Sequence, residues 1–280
     1  SMIFYEGVIF LLEILKSVIL GIIQGITEWL PISSTGHLIL FNQLLKLNCS
    51  EQFWKLYEVI IQLGSIMAVV VLYFHKLNPF SPKKTKREKS DTWQMWFKVA
   101  AGSVPVAVIG VLLNDLIPEQ PIVIAAALII YGILFIVIEN RHMKPKVNSI
   151  GEMSYARSIG TGLFQTLSII PGTSRSGSTI MGGMILGCSR EIAAEYSFFL
   201  AIPAMAGASL LRIVKYIKDY GFSIPGNEVA VLIVGTLVSF IVSVFAIKFL
   251  MSYIRKHDFK AFGVYRIVLG IIVILYSLFV

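Results

Sequence analysis

The stretch "GITEWLPISSTGHLIL", residues 25–40, places a proline and a run of polar side chains inside an otherwise apolar segment. Proline ends a helix because it has no amide hydrogen and its ring clashes with the preceding turn. We therefore predict a helix that runs to Trp29, a break at Pro31 and a second helix that resumes at Leu38.

The composition of the whole chain identifies the environment of this break. The 280 residues are 56% hydrophobic and 14% charged, with a mean hydropathy of +0.79, whereas a soluble domain carries about a quarter charged residues. Apolar runs close to the ~20 residues that cross a bilayer recur along the chain. The sequence thus predicts a polytopic membrane protein with spans at roughly 56–75, 95–114, 120–139, 191–214, 227–249 and 262–280.

A second segment repeats the pattern of the first. It is apolar to Ile170, breaks at Pro171–Gly172 and resumes at about Thr179. Aligning "GLFQTLSIIPGTSRSGS" (162–178) with "GIIQGITEWLPISSTGH" (21–37) pairs Gly21 with Gly162, Gln24 with Gln165, Ser33 with Ser174, Thr35 with Ser176, and Gly36 with Gly177. Each copy is followed by three spans, and an odd number of crossings inverts the second copy relative to the first.

We predict an all-α polytopic membrane protein with six transmembrane helices plus two re-entrant helical hairpins, 3–47 and 155–187, in an inverted-topology repeat. Neither half of a hairpin is expected to be long enough to cross the bilayer alone. Broken backbone at membrane depth requires surrounding protein or a wet cavity. The chain is one membrane domain, 1–280, with repeat halves at about 1–147 and 150–280.

The distribution of basic residues predicts the orientation. Loops 76–94, 140–153 and 250–261 carry 12 of the 24 Lys and Arg residues, more than the other loops together, and the positive-inside bias places them in the cytoplasm. The remaining loops, including 114–121, and both termini then face outward. The net charge of +8 does not predict nucleic-acid binding, because no aromatic stacking pattern surrounds the basic loop.

Each break leads into a new helix through hydroxyl residues and a glycine. A helix N-terminus presents unpaired N–H groups and about half a positive charge, which suits phosphate, and Arg175 adds a planar fork of donors. The alternative is that these residues only cap helices. The candidate phosphate-binding residues are Ser33, Thr35, Gly36, Gly172, Ser174, Ser176 and Thr179.

Ionisable residues within apolar segments are costly and mark functional candidates. Glu28 lies one turn after Gln24, and the two offer oxygen ligands for Mg²⁺ or Ca²⁺. The alternative is a Glu28–Arg175 ion pair that only holds the hairpins together. His37 is a candidate acid, base or phosphate-accepting nucleophile. Arg266, by contrast, is predicted to extend to the membrane surface.

Three motifs, "QGITE", "SSTGH" and "PGTSRSGST", resemble the signature regions of the undecaprenyl-diphosphate phosphatase family, the BacA type linked to bacitracin resistance. The resemblance covers essentially the whole chain. The family's (E/Q)xxxE motif falls on Gln24 and Glu28, its histidine on His37, and its PGxSRSxxT motif on Pro171 through Thr179. Gln24 is the variant form of the first position and leaves one fewer carboxylate.

The resemblance implies removal of the terminal phosphate from a C55 polyprenyl diphosphate, with the bilayer lipids around it, at the outer face of the bacterial plasma membrane. The product is the monophosphate carrier that is recycled for peptidoglycan and other wall polymers. The family is metal-dependent, which fits a diphosphate whose charge must be neutralised.

We expect a catalytic set of Glu28, Ser34, His37 and Arg175, with Ser34 attacking phosphorus and His37 as acid or base, or with His37 itself attacking or activating water. In either case Glu28 is expected to hold the cation or to activate a nucleophile. The main alternative is a transporter or flippase of an anionic polyprenyl lipid. A phosphatidic-acid-phosphatase type site would need a histidine and an aspartate soon after the arginine motif, and neither is present. Oligomeric state stays open, with a homodimer among the alternatives.

Overall fold

The computed structural model describes residues 2–113, 120–221, 224 and 226–279, so most of the predicted loop 114–121 lies outside the described ranges. The all-helical prediction is confirmed: over these ranges the chain forms helices and a single isolated bridge, between Val147 and Cys188. The helices are α1 (Met2–Thr27), α2 (Ser34–Leu45), α3 (Glu51–Leu72), α4 (Phe74–Leu77), α5 (Lys86–Leu113), α6 (Pro121–Asn140), α7 (Tyr155–Thr166), α8 (Arg175–Ile185), α9 (Arg190–Tyr220), α10 (Gly226–Ile254) and α11 (Lys260–Phe279).

Six helices among the described residues are long and apolar enough to cross a bilayer: α1 from Gly7, α3, α6, α9, α10 and α11. The protein is therefore a multi-pass membrane protein. Six spans were also predicted, but one of the predicted six is a different helix. The predicted span 95–114 lies in α5 and is not among the six, whereas α1 is.

The expected lengths of the hairpin helices are partly wrong. Helix α1 has 26 residues, which is about 39 Å at 1.5 Å per residue and enough to cross a membrane. Helices α2 and α7, with 12 residues each, and α8, with 11, are too short to do so. The first copy of the repeat therefore carries an N-terminal extension that the second lacks.

Both helices after the breaks begin four residues earlier than predicted, α2 at Ser34 and α8 at Arg175. Ser33 accepts a hydrogen bond from the amide of Gly36 at 3.3 Å, and Ser174 accepts one from Gly177 at 3.1 Å. Serine side chains thus cap both helices. The apolar pattern starts only after the first polar turn, which is why the sequence placed both starts too late.

The second half of the predicted basic loop 76–94 is also helical, because α5 begins at Lys86. Thr85 and Glu88 form a reciprocal cap: the Glu88 carboxylate accepts from the Thr85 amide at 2.7 Å, and the Thr85 hydroxyl accepts from the Glu88 amide at 3.2 Å. The basic residues of this region therefore lie partly on a helix.

In each copy the end of the helix after the break lies beside the helix before the break. In the first copy the Lys16 ammonium donates to the Lys46 carbonyl at 3.0 Å. In the second copy Arg157 Nε donates to the Leu186 carbonyl at 3.1 Å. The donors are equivalent in the alignment, and each acceptor lies at the end of the helix that follows the break. Both segments thus reverse direction at their breaks.

The first helix of each copy packs closely against a helix of the other half. Helix α1 contacts α10, where an added Cβ at Gly21 would lie 2.7 Å from the Gly235 carbonyl oxygen. Helix α7 contacts α5, where a Cβ at Gly162 would collide with the Gly102 carbonyl. The two glycines aligned by the repeat therefore serve the same purpose, which is close backbone approach.

A serine one turn earlier in each copy repeats the correspondence. Ser17 and Tyr57 hydroxyls lie 2.8 Å apart, linking α1 to α3. The Tyr196 hydroxyl donates to Ser158 at 2.9 Å, linking α9 to α7. All four side chains are buried, so both hairpins are joined by equivalent hydrogen bonds to the helix that follows them.

Helices α6 and α11 cross through two glycines. A Cβ at Gly132 would lie 2.6 Å from the Gly263 carbonyl oxygen, and a Cβ at Gly263 would lie 2.7 Å from the Gly132 carbonyl. The contact is reciprocal, and it brings α11 against the helix that passes both breaks.

We predict that Gly132→Ala lowers the free energy of unfolding by about 1–3 kcal/mol, since the added methyl must push α11 away from α6. Thermal unfolding in detergent measures the effect. Gly207→Ala is the control, because nothing lies within 4 Å of its Cβ position and alanine is the better helix former. Equal melting temperatures for the two variants would contradict the close crossing.

Candidate active site between the two helix breaks

Arg266 of α11 lies fully buried between the two breaks. Its Nη1 donates to the Pro31 carbonyl at 2.9 Å, and its Nη2 donates to the carbonyls of Gly172 and Thr173, each at 2.9 Å. The prediction that Arg266 extends to the membrane surface is wrong. Broken helices leave carbonyls without intrahelical partners, and here a guanidinium from a distant helix binds them from both copies at once.

The second break also requires a glycine against α6. Gly172 has φ of +91°, in the region that L side chains rarely adopt, and an added Cβ would lie 2.5 Å from the Ile124 carbonyl oxygen. The side chain of Ile124 also approaches Gly36, at 3.2 Å from its Cβ position. The two glycines predicted to bind phosphate therefore allow α6 to pack against both breaks.

Glu28 stands at the centre of a polar cluster and is only 5% exposed. Arg175 Nη2 donates to its Oε1 at 2.8 Å. Its Oε2 accepts from Ser34 Oγ at 2.8 Å and from Gln24 Nε2 at 3.0 Å. Side chains from both copies of the repeat thus bind one carboxylate. A buried charge requires such partners, because it has lost its hydration.

Arg175 is held in place by more than this ion pair. Its Nη1 donates to the Ser197 carbonyl of α9 at 3.1 Å, and its guanidinium lies 5.4 Å from the centre of the buried Trp29 ring. Its Nε is buried and has no hydrogen-bond partner among the described residues.

Gln24 has an oxygen that suits a hard cation. Its Oε1 is buried and has no hydrogen-bond partner within the described ranges, while its amide nitrogen faces Glu28. No group of three or more His, Cys, Asp or Glu side chains that could hold a metal occurs among these residues. One carboxylate and one amide oxygen fit a cation that shares its coordination with phosphate oxygens and water, the usual arrangement for Mg²⁺.

His37 is oriented by two hydrogen bonds. Its Nδ1 lies 2.7 Å from the Ser33 carbonyl, and its Nε2 lies 2.7 Å from the Tyr265 hydroxyl. A carbonyl only accepts, so Nδ1 carries the hydrogen, and in the neutral ring Nε2 accepts from Tyr265. The hydroxyl of Ser34 donates to Glu28 instead. The hydrogen bond from Ser34 therefore goes to Glu28, one of the two partners that the sequence left open as its activating group, and not to His37.

Not all predicted phosphate-binding hydroxyls face an open site. Ser176 is buried and donates to the Leu30 carbonyl at 3.3 Å. Thr179 is buried and bonds the Arg175 carbonyl at 2.9 Å and the Ser197 hydroxyl at 2.6 Å. Ser176 thus connects α8 to the first break, and Thr179 connects α8 to α9. Ser34, Thr35 and Ser174 are only half-buried, so their hydroxyls are the accessible ones of the set.

Sequence reasoning missed three contributors, Arg266, Tyr265 and Ser197. The first was detectable, because a charge inside an apolar span was the signal that identified Glu28. It was assigned to the surface since Arg266 lies near the start of its span. Tyr265 and Ser197 carry no signal without the fold, because tyrosine and serine are common in membrane helices.

The acidic residues near span ends have structural contacts. Glu191 lies in the first turn of α9, where a negative charge favours the helix start. Glu195 accepts from Lys76 at 2.9 Å. Glu139, which the sequence did not single out, is buried and accepts from Arg190 Nε at 2.9 Å and from the Phe259 amide at 3.0 Å.

Comparison with known proteins gives a match over nearly the full chain. Residues 17–272 match the family described as bacitracin resistance protein BacA. A protein of Lactobacillus delbrueckii subsp. bulgaricus named undecaprenyl-diphosphatase is 56% identical over 268 residues, which cover 94% of this chain and 97% of the relative. Proteins with the same name from Limosilactobacillus fermentum and Acetivibrio thermocellus are 54% and 53% identical, covering 95% and 96% of this chain and 98% and 99% of the relatives.

We predict that Arg175→Met lowers the free energy of unfolding by about 3–5 kcal/mol, because it leaves the Glu28 carboxylate buried and unpaired. The double variant Glu28→Gln/Arg175→Met should recover most of this loss. Denaturant unfolding in detergent measures the cycle.

The exposed pair Lys55–Glu51, at 2.7 Å, is the matched control, for which the same cycle should give about 0–1 kcal/mol. A coupling no larger at Glu28–Arg175 than at Lys55–Glu51 would contradict the ion pair as a structural link between the hairpins.

Proposed function

The chain belongs to the BacA family of bacitracin resistance proteins, and from this membership we propose that the site between its helix breaks hydrolyses undecaprenyl diphosphate. The products are undecaprenyl phosphate and inorganic phosphate, and the lipid carrier returns to cell-wall synthesis. The observation that carries the assignment of this site is the contact between the Ser34 hydroxyl and the Glu28 carboxylate at the start of α2. A hydroxyl that donates to a buried carboxylate beside an arginine is a prepared nucleophile.

The diphosphate binds where positive potential is concentrated. The starts of α2 and α8 offer backbone N–H groups and partial positive charge. Arg175 adds a guanidinium, and Arg175, Thr35 and Ser174 are all partly accessible. The polyprenyl tail stays in the bilayer, so the headgroup enters the protein from the membrane. Arg175 then holds the terminal phosphate in line with Ser34.

Ser34 is the attacking group. Its Oγ forms a bond to the terminal phosphorus while the bond from that phosphorus to the bridging oxygen breaks, and the electron pair leaves with undecaprenyl phosphate. The hydroxyl proton passes to Glu28 Oε2, which accepts the Ser34 hydrogen bond at 2.8 Å before the reaction. Glu28 is therefore the general base for this step.

Water completes the reaction by attacking the phosphoserine. The new bond between water oxygen and phosphorus forms as the Ser34 Oγ–P bond breaks, and Glu28 returns its proton to Ser34. His37 accepts the proton of the water at Nε2, after that nitrogen has parted from Tyr265, and releases it to solvent. The order of events makes His37 a base for water rather than for Ser34.

A divalent cation, Mg²⁺ or Ca²⁺, would be held by Gln24 Oε1 and Glu28 together with the substrate. When bound, it would neutralise part of the diphosphate charge. The unpartnered Gln24 oxygen supports this proposal. The proton transfers assigned to Ser34, Glu28 and His37 belong to the protein alone.

In this proposal α5, with 28 residues, is the third crossing between the two broken segments, and α1 turns back at its break although it is long enough to cross. The two hairpins are then re-entrant, and the halves, about 1–147 and 150–280, are inverted copies of one membrane domain. Support comes from the equivalent hydrogen bonds of Lys16 and Arg157 and of Ser17 and Ser158. The basic loops then lie in the cytoplasm of a bacterium and the active site opens to the outer face of the plasma membrane. A homodimer, and the absence of nucleic-acid partners, stay predictions.

A transporter of the same lipid is the weaker alternative. Paired helix breaks suit a carrier, but a carrier has no use for a serine that donates to a buried glutamate. In hydrolysis the serine is the nucleophile and the glutamate is its base, so both groups are used.

We predict that purified protein releases phosphate from undecaprenyl diphosphate, and faster with Mg²⁺ or Ca²⁺ than with EDTA. Ser34→Ala, Glu28→Ala and Arg175→Ala should each lower the rate at least about 100-fold, since each removes the nucleophile, its base or a charge-stabilising donor. Phosphate release measured in detergent gives the rates.

Matched substitutions away from the site are the controls: Ser277→Ala, Glu51→Ala and Arg212→Ala. These variants should retain activity. An Arg175→Ala protein with full hydrolysis would refute the site, and folded wild-type protein that binds the lipid without releasing phosphate would favour the transporter.

The inverted topology predicts opposite labelling of two exposed asparagines. Asn48 follows the first hairpin and Asn148 precedes the second. Cysteines placed at the two positions, with Cys49 and Cys188 replaced by serine, are treated with an impermeant maleimide on intact cells. Asn48→Cys should react, and Asn148→Cys should react only after permeabilisation. The same pattern for both would rule out inversion.

A further inference from the structure

The charges around the breaks do not balance. Glu28 and Arg175 form an ion pair at 2.8 Å, so their opposite charges cancel. The His37 ring is neutral in the hydrogen-bonded form that Ser33 and Tyr265 favour. Arg266 is bound by three carbonyl oxygens and, among the residues that the structure describes, by no carboxylate. The site therefore carries one buried positive charge in excess.

This charge lies behind the start of α8. Arg266 Nη1 is 3.2 Å from the Cβ position of Gly177 in the first turn of that helix. The same nitrogen donates to Pro31, three residues before α2 begins. The guanidinium thus adds a full charge to the partial charges of both helix starts. Its three bonds to the backbone prevent it from moving toward a ligand.

We propose that Arg266 is the specificity-determining residue by which this site binds diphosphate in preference to monophosphate. The inference rests on the proposed function and extends it to substrate choice. The substrate carries at least one more negative charge than the product at the same headgroup position. A fixed buried cation attracts each ligand in proportion to its charge. Arg266 therefore favours the diphosphate without touching it and lets the monophosphate leave.

The alternative role for Arg266 is mechanical: it would only tie the two breaks together. The two roles separate because one depends on charge and the other on hydrogen-bond donors. Arg266→Lys keeps the charge and loses the planar fork, whereas Arg266→Gln keeps amide donors and loses the charge. Under the mechanical role the glutamine variant should discriminate no worse than the lysine variant.

The test measures the affinities of inorganic pyrophosphate and inorganic phosphate, by calorimetry on detergent-purified protein in EDTA. The wild type and Arg266→Lys should prefer pyrophosphate. In Arg266→Gln the ratio of the two affinities should fall about tenfold, the effect of one charge acting across some 10 Å of protein. Arg157→Gln is the control, because it removes an arginine-to-carbonyl bond at the far end of α8. Equal ratios for Arg266→Lys and Arg266→Gln would overturn the inference.

A second pair of variants keeps Arg266 in place, in case its replacement prevents folding. The Tyr131 ring lies 5.7 Å from the guanidinium, so Tyr131→Glu would neutralise Arg266 and Tyr131→Gln would not. Only Tyr131→Glu should lose the preference for pyrophosphate, and an unchanged ratio in it would overturn the inference. Phosphate release by the wild type is measured separately. A wild type without release would refute the proposed function, whereas release with equal ratios would refute only the role of Arg266.

Discussion

The constraint on which this structure depends is that a helix broken inside a membrane protein leaves carbonyl groups that no water reaches. Each such group needs a donor, because burying a polar atom in apolar surroundings without a hydrogen bond costs about 2–7 kcal/mol. Arg266 supplies donors to Pro31, Gly172 and Thr173 together. One side chain from the last helix thus joins two breaks that lie 141 positions apart in the alignment.

Joining the breaks has a chemical consequence. The starts of α2 and α8 come together, and Arg175 from one copy reaches Glu28 from the other. Each buried charge then has partners, so the cluster is tolerated within an apolar molecule. The same contacts leave the Ser34 hydroxyl on a carboxylate and one nitrogen of Arg175 without a partner. The hydrogen bonds that stabilise the cluster are thus the ones on which the proposed reaction depends.

The two copies make the same structural hydrogen bonds but carry different residues at the candidate site. Ser17 and Ser158 bind tyrosines in the same way, and both helix starts are capped by serine. At the chemical positions the copies differ, since Glu28 aligns with Ile169 and Arg175 aligns with Ser34. Glu28, Ser34 and His37 come from the first copy and Arg175 from the second. A single site results, although the fold repeats.

The sequence by itself determined the features that depend on local chemistry. A low fraction of charged residues and long apolar runs predict a helical membrane protein. Pro31 and Pro171 predict the two helix breaks. Glu28 and Arg175 are recognisable as functional candidates because they are charges within apolar segments. Only the tertiary structure decided the partners. Arg266 binds the carbonyls of both breaks and Tyr265 lies on His37, so these contacts join residues from distant helices. Ser34 donates to Glu28 across the first break, a contact that depends on how the chain turns there. Periodicity and composition describe one helix at a time, whereas these contacts depend on how separate helices pack.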